Sequence, residues 1–267
     1  MLKHKNYNFI LGAALTAIML VIIASGFFRT PYDPNTINPA NSLEPPSAGH
    51  LLGTDNFGRD ILSRVITGAS STMYVAAATV AIGVLAGMII GGLTGYFGGW
   101  VDEMFMRAGD IILAFPSILL ALVFISLIGP GRNNIILALG IMFIPSFARV
   151  VRGEYVRCRE LDYVHSARIM GVGHMRIMFV HILPNTIPVI LRAIAIGFNN
   201  AVLAEASMSY LGLGVQPPHA SLGRMLSESQ SYLFSAPWYA LSAGIAIVLL
   251  ILGFGLLGEG IGARSDG

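Results

Sequence analysis

Lysine is nearly absent from this chain. Of 267 residues only Lys3 and Lys5 are lysines, and every later cation is arginine. No phosphate-binding G-x-x-x-x-G-K-[ST] loop, Schiff-base lysine or kinase lysine can be built after residue 5. If nucleotide is used, another chain binds it. Cysteine is scarcer still: Cys158 stands alone, which excludes an intramolecular disulfide and a thiolate metal cluster. The six histidines include no H-E-x-x-H or comparable pair, so no metal site is expected. Charged residues make up only 11%, against roughly 25% in soluble domains. By contrast 55% of residues are hydrophobic, and mean hydropathy is +0.72. That balance indicates an all-α polytopic membrane protein. A net charge of +2 spread over so few aqueous segments argues against nucleic acid as a partner.

A bilayer core takes about 20 mostly apolar residues per helix. Six stretches suit: Phe9–Phe28, Met73–Tyr96, Ile111–Leu127, Asn133–Val151, Ile187–Ser207 and Trp238–Leu257. Arg132 and Arg149 edge the fourth and can snorkel outward. Trp238 and Tyr239 are placed as an interfacial anchor. Lys3-His4-Lys5, an apolar run and Ala-Ser-Gly together resemble a secretory signal. The run is longer than a signal core, however, and residues 1–28 read as a tail and an uncleaved first span. Residues 29–72 form an external segment, Pro- and Asp-rich at first, then a short amphipathic helix from Asp60 to Ile66. A five-helix core over 73–260 follows, containing a cytoplasmic loop at 154–184 and an external Gly/Pro/Ser-rich segment at 209–237. With the N-terminus inside, ten Lys/Arg fall on the cytoplasmic side and five outside, with Arg192 left within a span. The chain is then oriented with both termini in the cytoplasm.

The second span carries Gly83, Gly87, Gly91 and Gly95, and Gly99 continues the series. Steps of four leave one helix face without side chains, which lets another helix approach closely. That neighbour is either a helix of this chain or a partner subunit.

The segment from Asp162 to Pro184 is polar between oily neighbours. Asp162 suits a helix N-cap. Tyr163, Ala167 and Met170 then share a face at helical spacing. Gly171 suits the left-handed residue that ends a helix. After Val172-Gly173, a second helix places Met175, Met178 and Ile182 on one face, and Pro184 is expected to break it. Such a two-helix hairpin either seats in a groove of a soluble protein or lies on lipid headgroups. His165, His174 and His181 read as solvated or interfacial.

Here the residues resemble a known family, the inner-membrane permeases of ATP-binding-cassette importers of the peptide/nickel class. That family's cytoplasmic loop has the form E-A-A-x-x-x-G, nine residues, then I-x-L-P. In this chain it stands as His165-Ser166-Ala167, Gly171 and Ile182-Leu183-Pro184, with His for Glu and Ser for Ala. Leu52-Gly53-Thr54-Asp55-Asn56-Phe57-Gly58-Arg59-Asp60 resembles the external signature of the class. Gly95-Tyr96-Phe97-Gly98-Gly99, Ala114-Phe115-Pro116, Tyr210 to Pro218 and Leu256 to Gly260 follow in order.

The resemblance implies the six-helix type I importer fold and a non-catalytic subunit in a prokaryotic cytoplasmic membrane. It also implies a second, homologous permease, two ATPases that bind ATP and Mg, and an extracytoplasmic solute-binding protein. Asp162, Tyr163, His165, Ser166, Ala167, Met170, Gly171, His174, Leu183 and Pro184 would form the ATPase-coupling hairpin. The substrate would be a di- or oligopeptide, or alternatively nickel or a nickel chelate. Within the fifth span Arg192, Asn199, Asn200 and Glu205 are candidates for the translocation path, since polar groups at membrane depth usually face a polar interior. Arg192 could also pair with a neighbour or snorkel, and Glu205 and Asp110 also suit the membrane interface. The spans offer no facing catalytic groups for an intramembrane hydrolase, and an ATPase-independent channel is the remaining rival.

Overall fold

The computed structural model describes residues 2–28 and 30–265, with side chains over 9–26 and 30–260. The charges counted at Lys3, Lys5, Arg29 and Arg264 lie outside the described side chains. Among the described residues the regular structure is helical, with no strand beyond one isolated bridge between Thr54 and Asp60. Helix α1 covers Leu2–Phe28, α2 Ile61–Phe97, α3 Gly99–Leu113, α4 Ser117–Ile128 and α5 Arg132–Arg159. Helix α6 is Asp162–Ile169 and α7 His174–Arg176; a π-helical turn Ile177–Ile182 leads into α8, Leu183–Tyr210. Helix α9 is Leu222–Ser229 and α10 Pro237–Ser265. Among the described residues five helices are long and apolar enough to cross a membrane, or six spans result if the bent pair α3–α4 makes one.

Three expectations are corrected. The third span is not a straight helix over Ile111–Leu127. It breaks at Ala114-Phe115-Pro116, and α3 and α4 meet at 89°. Pro116 has no N–H to continue the ladder and drives Phe115 out of the helical region. Helix α3 is tied to α5 by ion pairs from Asp102 to Arg152 and from Asp110 to Arg149.

The amphipathic helix at Asp60–Ile66 is not a separate element. It is the first turns of α2, which runs unbroken for 37 residues. Asp60 caps it, its Oδ2 accepting from the Ser63 amide at 2.8 Å. No proline interrupts the stretch to Met73, and Gly68 is used for contact, since its Cβ would lie 3.3 Å from Ser221.

The hairpin's second arm is likewise no short helix ended by Pro184. His174–Tyr210 is one continuous rod. A π turn widens the ladder just ahead of Pro184, the kind of local adjustment by which a helix accommodates a missing donor.

The core is built by close helix contact. The glycine face of α2 meets α5. A Cβ on Gly83 would lie 2.9 Å from the Phe143 Cβ, on Gly87 2.6 Å from the Phe147 Cβ, and on Gly95 2.7 Å from the Tyr155 Cβ. On Gly91 it would overlap the Ala148 carbonyl oxygen. The neighbour of this face is therefore a helix of the same chain. Gly99, by contrast, has nothing within 4 Å. Helix α1 packs on α10 in the same way through Gly12, Gly253 and Gly260.

Candidate functional site

Three regions carry polar or exposed features that packing alone does not require. The first is the hairpin. Leu161, not Asp162, is the N-cap of α6; Asp162 is the first helical residue, where its charge still suits the positive helix end. Val164 and Ala167 are buried and fix α6 to the body. Gly171 has φ +75°, and the turn closes through the Gly171 amide to the Arg168 carbonyl and the Val172 amide to the Ala167 carbonyl, both at 3.0 Å. The second arm inserts Ile177, Met178 and Ile182 into the core.

The expected apolar faces are therefore split. Ala167, Met178 and Ile182 are internal, whereas Tyr163, Met170 and Met175 are external. Asp162, His165, Ser166, Gly171, His174 and Pro184 are exposed as well, and Leu183 is half-buried. The hairpin exposes large apolar side chains: Ile169 is 88% exposed and Met170 74%, and Phe179 and Val180 on the second arm are exposed too.

The second region is a groove at membrane depth between α4, α5 and α8, with a volume of about 480 Å³. Its walls are apolar, from Leu139, Met142 and Ile196 among others, with Ser117, Ser146, Asn200 and Ser207 as polar points. No charged side chain lines it. Of the four expected path residues only Asn200 is in this lining. Asn199 turns towards α10, its Nδ2 lying 3.1 Å from the Cβ position of Gly255. Arg192 is half-buried and off the groove. Glu205 is fully buried, accepting from Ser209 Oγ at 2.6 Å. Ser209 Oγ in turn accepts from the Val215 amide at 3.2 Å, so Glu205 braces the loop that follows α8.

The third region was missed as a unit. Asp55 and Arg59 pair at 2.6 Å, and Arg64, only 1% exposed, lies 3.4 Å from the same carboxylate. Arg59 and Arg64 both reach Glu228 Oε2, at 3.1 and 3.2 Å, and Tyr239 OH donates to it at 3.0 Å. Arg224 holds the other Glu228 oxygen at 3.1 Å. Burial alone would push the Glu228 carboxyl up, but Arg64, Arg59 and the bonds from Arg224 and Tyr239 outweigh it and hold the group below its ordinary value. The cluster clamps the signature segment around Asp55 and Arg59 onto α9 and α10. A signal was present: two arginines of that segment needed counter-ions, and Glu228 is the only acid in 209–237.

Comparison with known proteins gives the family. The model described as binding-protein-dependent transport system inner membrane component matches residues 83–266. The dipeptide transport system permease protein DppC of Alkalihalophilus pseudofirmus is 38% identical over 98% of this chain and 86% of its own length. The glutathione transport system permease protein GsiD of Pectobacterium atrosepticum is 38% identical over 96% of this chain and 85% of its own. A dipeptide permease DppC of Haemophilus influenzae is 37% identical over 98% and 91%. In fold, a chain of the inward-facing MetNI methionine ABC transporter superposes with a TM-score of 0.61 at 19% identity, covering 76% of this chain and 96% of that one. With its helical spans, two-armed hairpin and ordered motifs, the chain belongs to the family of binding-protein-dependent transport system inner membrane components, as an ABC importer permease.

Proposed function

We propose that this chain is half of the membrane core of a peptide importer driven by separate ATPases. The observation that carries the reading is the hairpin: an apolar outer surface at Ile169, Met170 and Met175 on a base held rigid by Val164, Ala167, Ile177 and Ile182. A surface so exposed suits a soluble partner, here an ATPase that supplies the Mg-ATP site this lysine-poor chain lacks. A second, homologous permease completes the groove at Asn200, and an extracytoplasmic binding protein delivers the solute. The hairpin faces the cytoplasm with both termini. ATP-driven closure of the ATPases moves the hairpins together, and the spans turn from inward- to outward-facing. This chain performs no covalent step. Peptide is the substrate class favoured by the dipeptide and glutathione names of its relatives, and nickel is not favoured.

Replacing Met170 with glutamate should break ATPase docking while leaving the chain folded. The expected result is loss of co-purifying ATPase, by tenfold or more for one buried unpaired charge at an interface. Retained ATPase and dipeptide uptake would overturn the docking reading. Gly171→Val tests the same hairpin through its backbone. The site has open space but a positive φ, so the cost is strain of about 1–2 kcal/mol, read as lost coupling between ATP hydrolysis and uptake. Assays of the cognate binding protein with dipeptides and with Ni²⁺ decide the substrate class.

A further inference from the structure

The Gly95-Tyr96-Phe97-Gly98-Gly99 motif has no part in the docking surface or the groove. Its tyrosine nevertheless occupies a singular position. Tyr96 ends the long α2 rod and is only 5% exposed. Its hydroxyl lies 2.8 Å from His174 Nδ1, at the start of the hairpin's second arm. The Arg168 guanidinium, at the end of the first arm, sits 5.4 Å from the centre of the Tyr96 ring. The His174 ring meets the same ring edge-on at 5.7 Å. One side chain of α2 thus holds both arms of the hairpin, on either side of the Gly171 turn.

The same end of α2 is anchored behind Tyr96. Arg159 Nη1 donates to the Gly95 carbonyl at 3.0 Å, tying α2 to the last turn of α5. Tyr155, also on α5, donates to the Met178 carbonyl within the π turn at 3.2 Å. Packing explains the Tyr96 ring but not its hydroxyl, since phenylalanine would fill the same space. A buried hydroxyl is kept where it has a partner, and this one has His174.

We infer that Tyr96 is a positioning residue that latches the hairpin to α2, so that hairpin and α2–α5 pair move as one body. The inference rests on the permease reading for its transport readout and on geometry alone for its structural one. Removing one neutral hydrogen bond changes the equilibrium it holds by about fivefold.

The test uses the complete complex in liposomes, with dialanine presented by the cognate binding protein, comparing wild type with Tyr96→Phe. The expected variant assembles and hydrolyses ATP within twofold of wild type, while dialanine uptake per ATP falls about fivefold. His174→Ala, which also removes the ring contact, should lower uptake per ATP at least as far, and adding Tyr96→Phe to it should change nothing more, because the hydroxyl then has no partner to lose. In parallel, spin labels at Val180 and Ile89, both exposed and neither in the docking patch, report the hairpin–α2 distance; the buried Cys158 stays unlabelled. Tyr96→Phe should broaden that distribution even without nucleotide. Wild-type uptake per ATP, additive double variants or an unchanged distribution would each overturn the latch. A wild-type complex that neither transports dialanine nor responds to the loaded binding protein would defeat the peptide reading instead. The spin-label distances would still decide the latch.

Discussion

Glu228→Ala is expected to destabilise the folded chain by about 3–5 kcal/mol, the usual cost of breaking a buried ion pair by removing one partner. Thermal unfolding in detergent should show it as a fall in Tm on the order of 10 °C. The reason is Arg64. At 1% exposure it has no water to turn to, and loss of Glu228 leaves it sharing Asp55 with Arg59. Tyr239 loses its acceptor in the same step. Glu228→Gln should fall between the two, because an amide oxygen still accepts a hydrogen bond but brings no charge. The effect has a pH signature. The folded carboxyl titrates below its ordinary value, so its contribution is complete above pH of about 4.3 and disappears as pH falls through the folded value. The variant should therefore lose the acid-side slope of stability that wild type shows in this window. Equal slopes would mean that Glu228 is not the group holding the cluster.

Gly91→Val should do more damage still, and at the opposite end of the scale of charge. A Cβ there overlaps the Ala148 carbonyl oxygen and comes within 2.9 Å of the Arg152 amide nitrogen, so the obstacles are backbone. Neither can swing aside as a side-chain tip could. The helices must separate, and the contacts at Gly87 and Gly95 separate with them. Overpacking in a closed core costs about 1–3 kcal/mol where neighbours can shift, and this site offers less give than that. The expected outcome is loss of monodisperse protein on size exclusion. Gly153→Ala is the control: it lies on α5 with nothing within 4 Å, and alanine there should be neutral or raise Tm slightly. If Gly91→Val purified with wild-type Tm, the close packing of α2 on α5 would not be a requirement of the fold.

The six apolar runs were legible because lipid demands length and apolarity, and both are local properties of sequence. What was not legible depended on partners. The start of α2 was misplaced because Asp60 to Ile66 alternates like a surface helix; its polar residues Ser63 and Arg64 are in fact buried against segments 31 and 164 positions away. The 89° break in the third span had a visible cause in Pro116, yet a proline within an apolar run can equally kink a continuous helix. Proline misled in the other direction at Pro184, where a π turn absorbed the missing donor. In the groove, burial decided what polarity could not. Asn199 and Asn200 are adjacent in sequence, but 100° of helical rotation sends one to α10 and the other into the lining. Nothing local marks Glu205 as internal, since its partner Ser209 is a common interfacial residue too.

The continuous helix from His174 to Tyr210 makes the hairpin's second arm and a wall of the groove one element. It crosses α5 closely at Gly197, whose Cβ position lies 2.6 Å from Phe147 Cζ, and the same residue abuts Gly83 and Gly87 on α2. Phe147 is thus where α2, α5 and α8 meet. At 1.5 Å per residue the inner arm, from His174 to Gly197, is about 35 Å long, and the outer arm, to Tyr210, about 20 Å. Were the latched hairpin, the α2–α5 pair and α8 to turn as one body about the level of Phe147, a given shift at the hairpin would become a movement of roughly 0.6 of that size, in the opposite direction, at the far end. In such a turn the stroke at the hairpin is long and weak, and the stroke at the far end short and forceful.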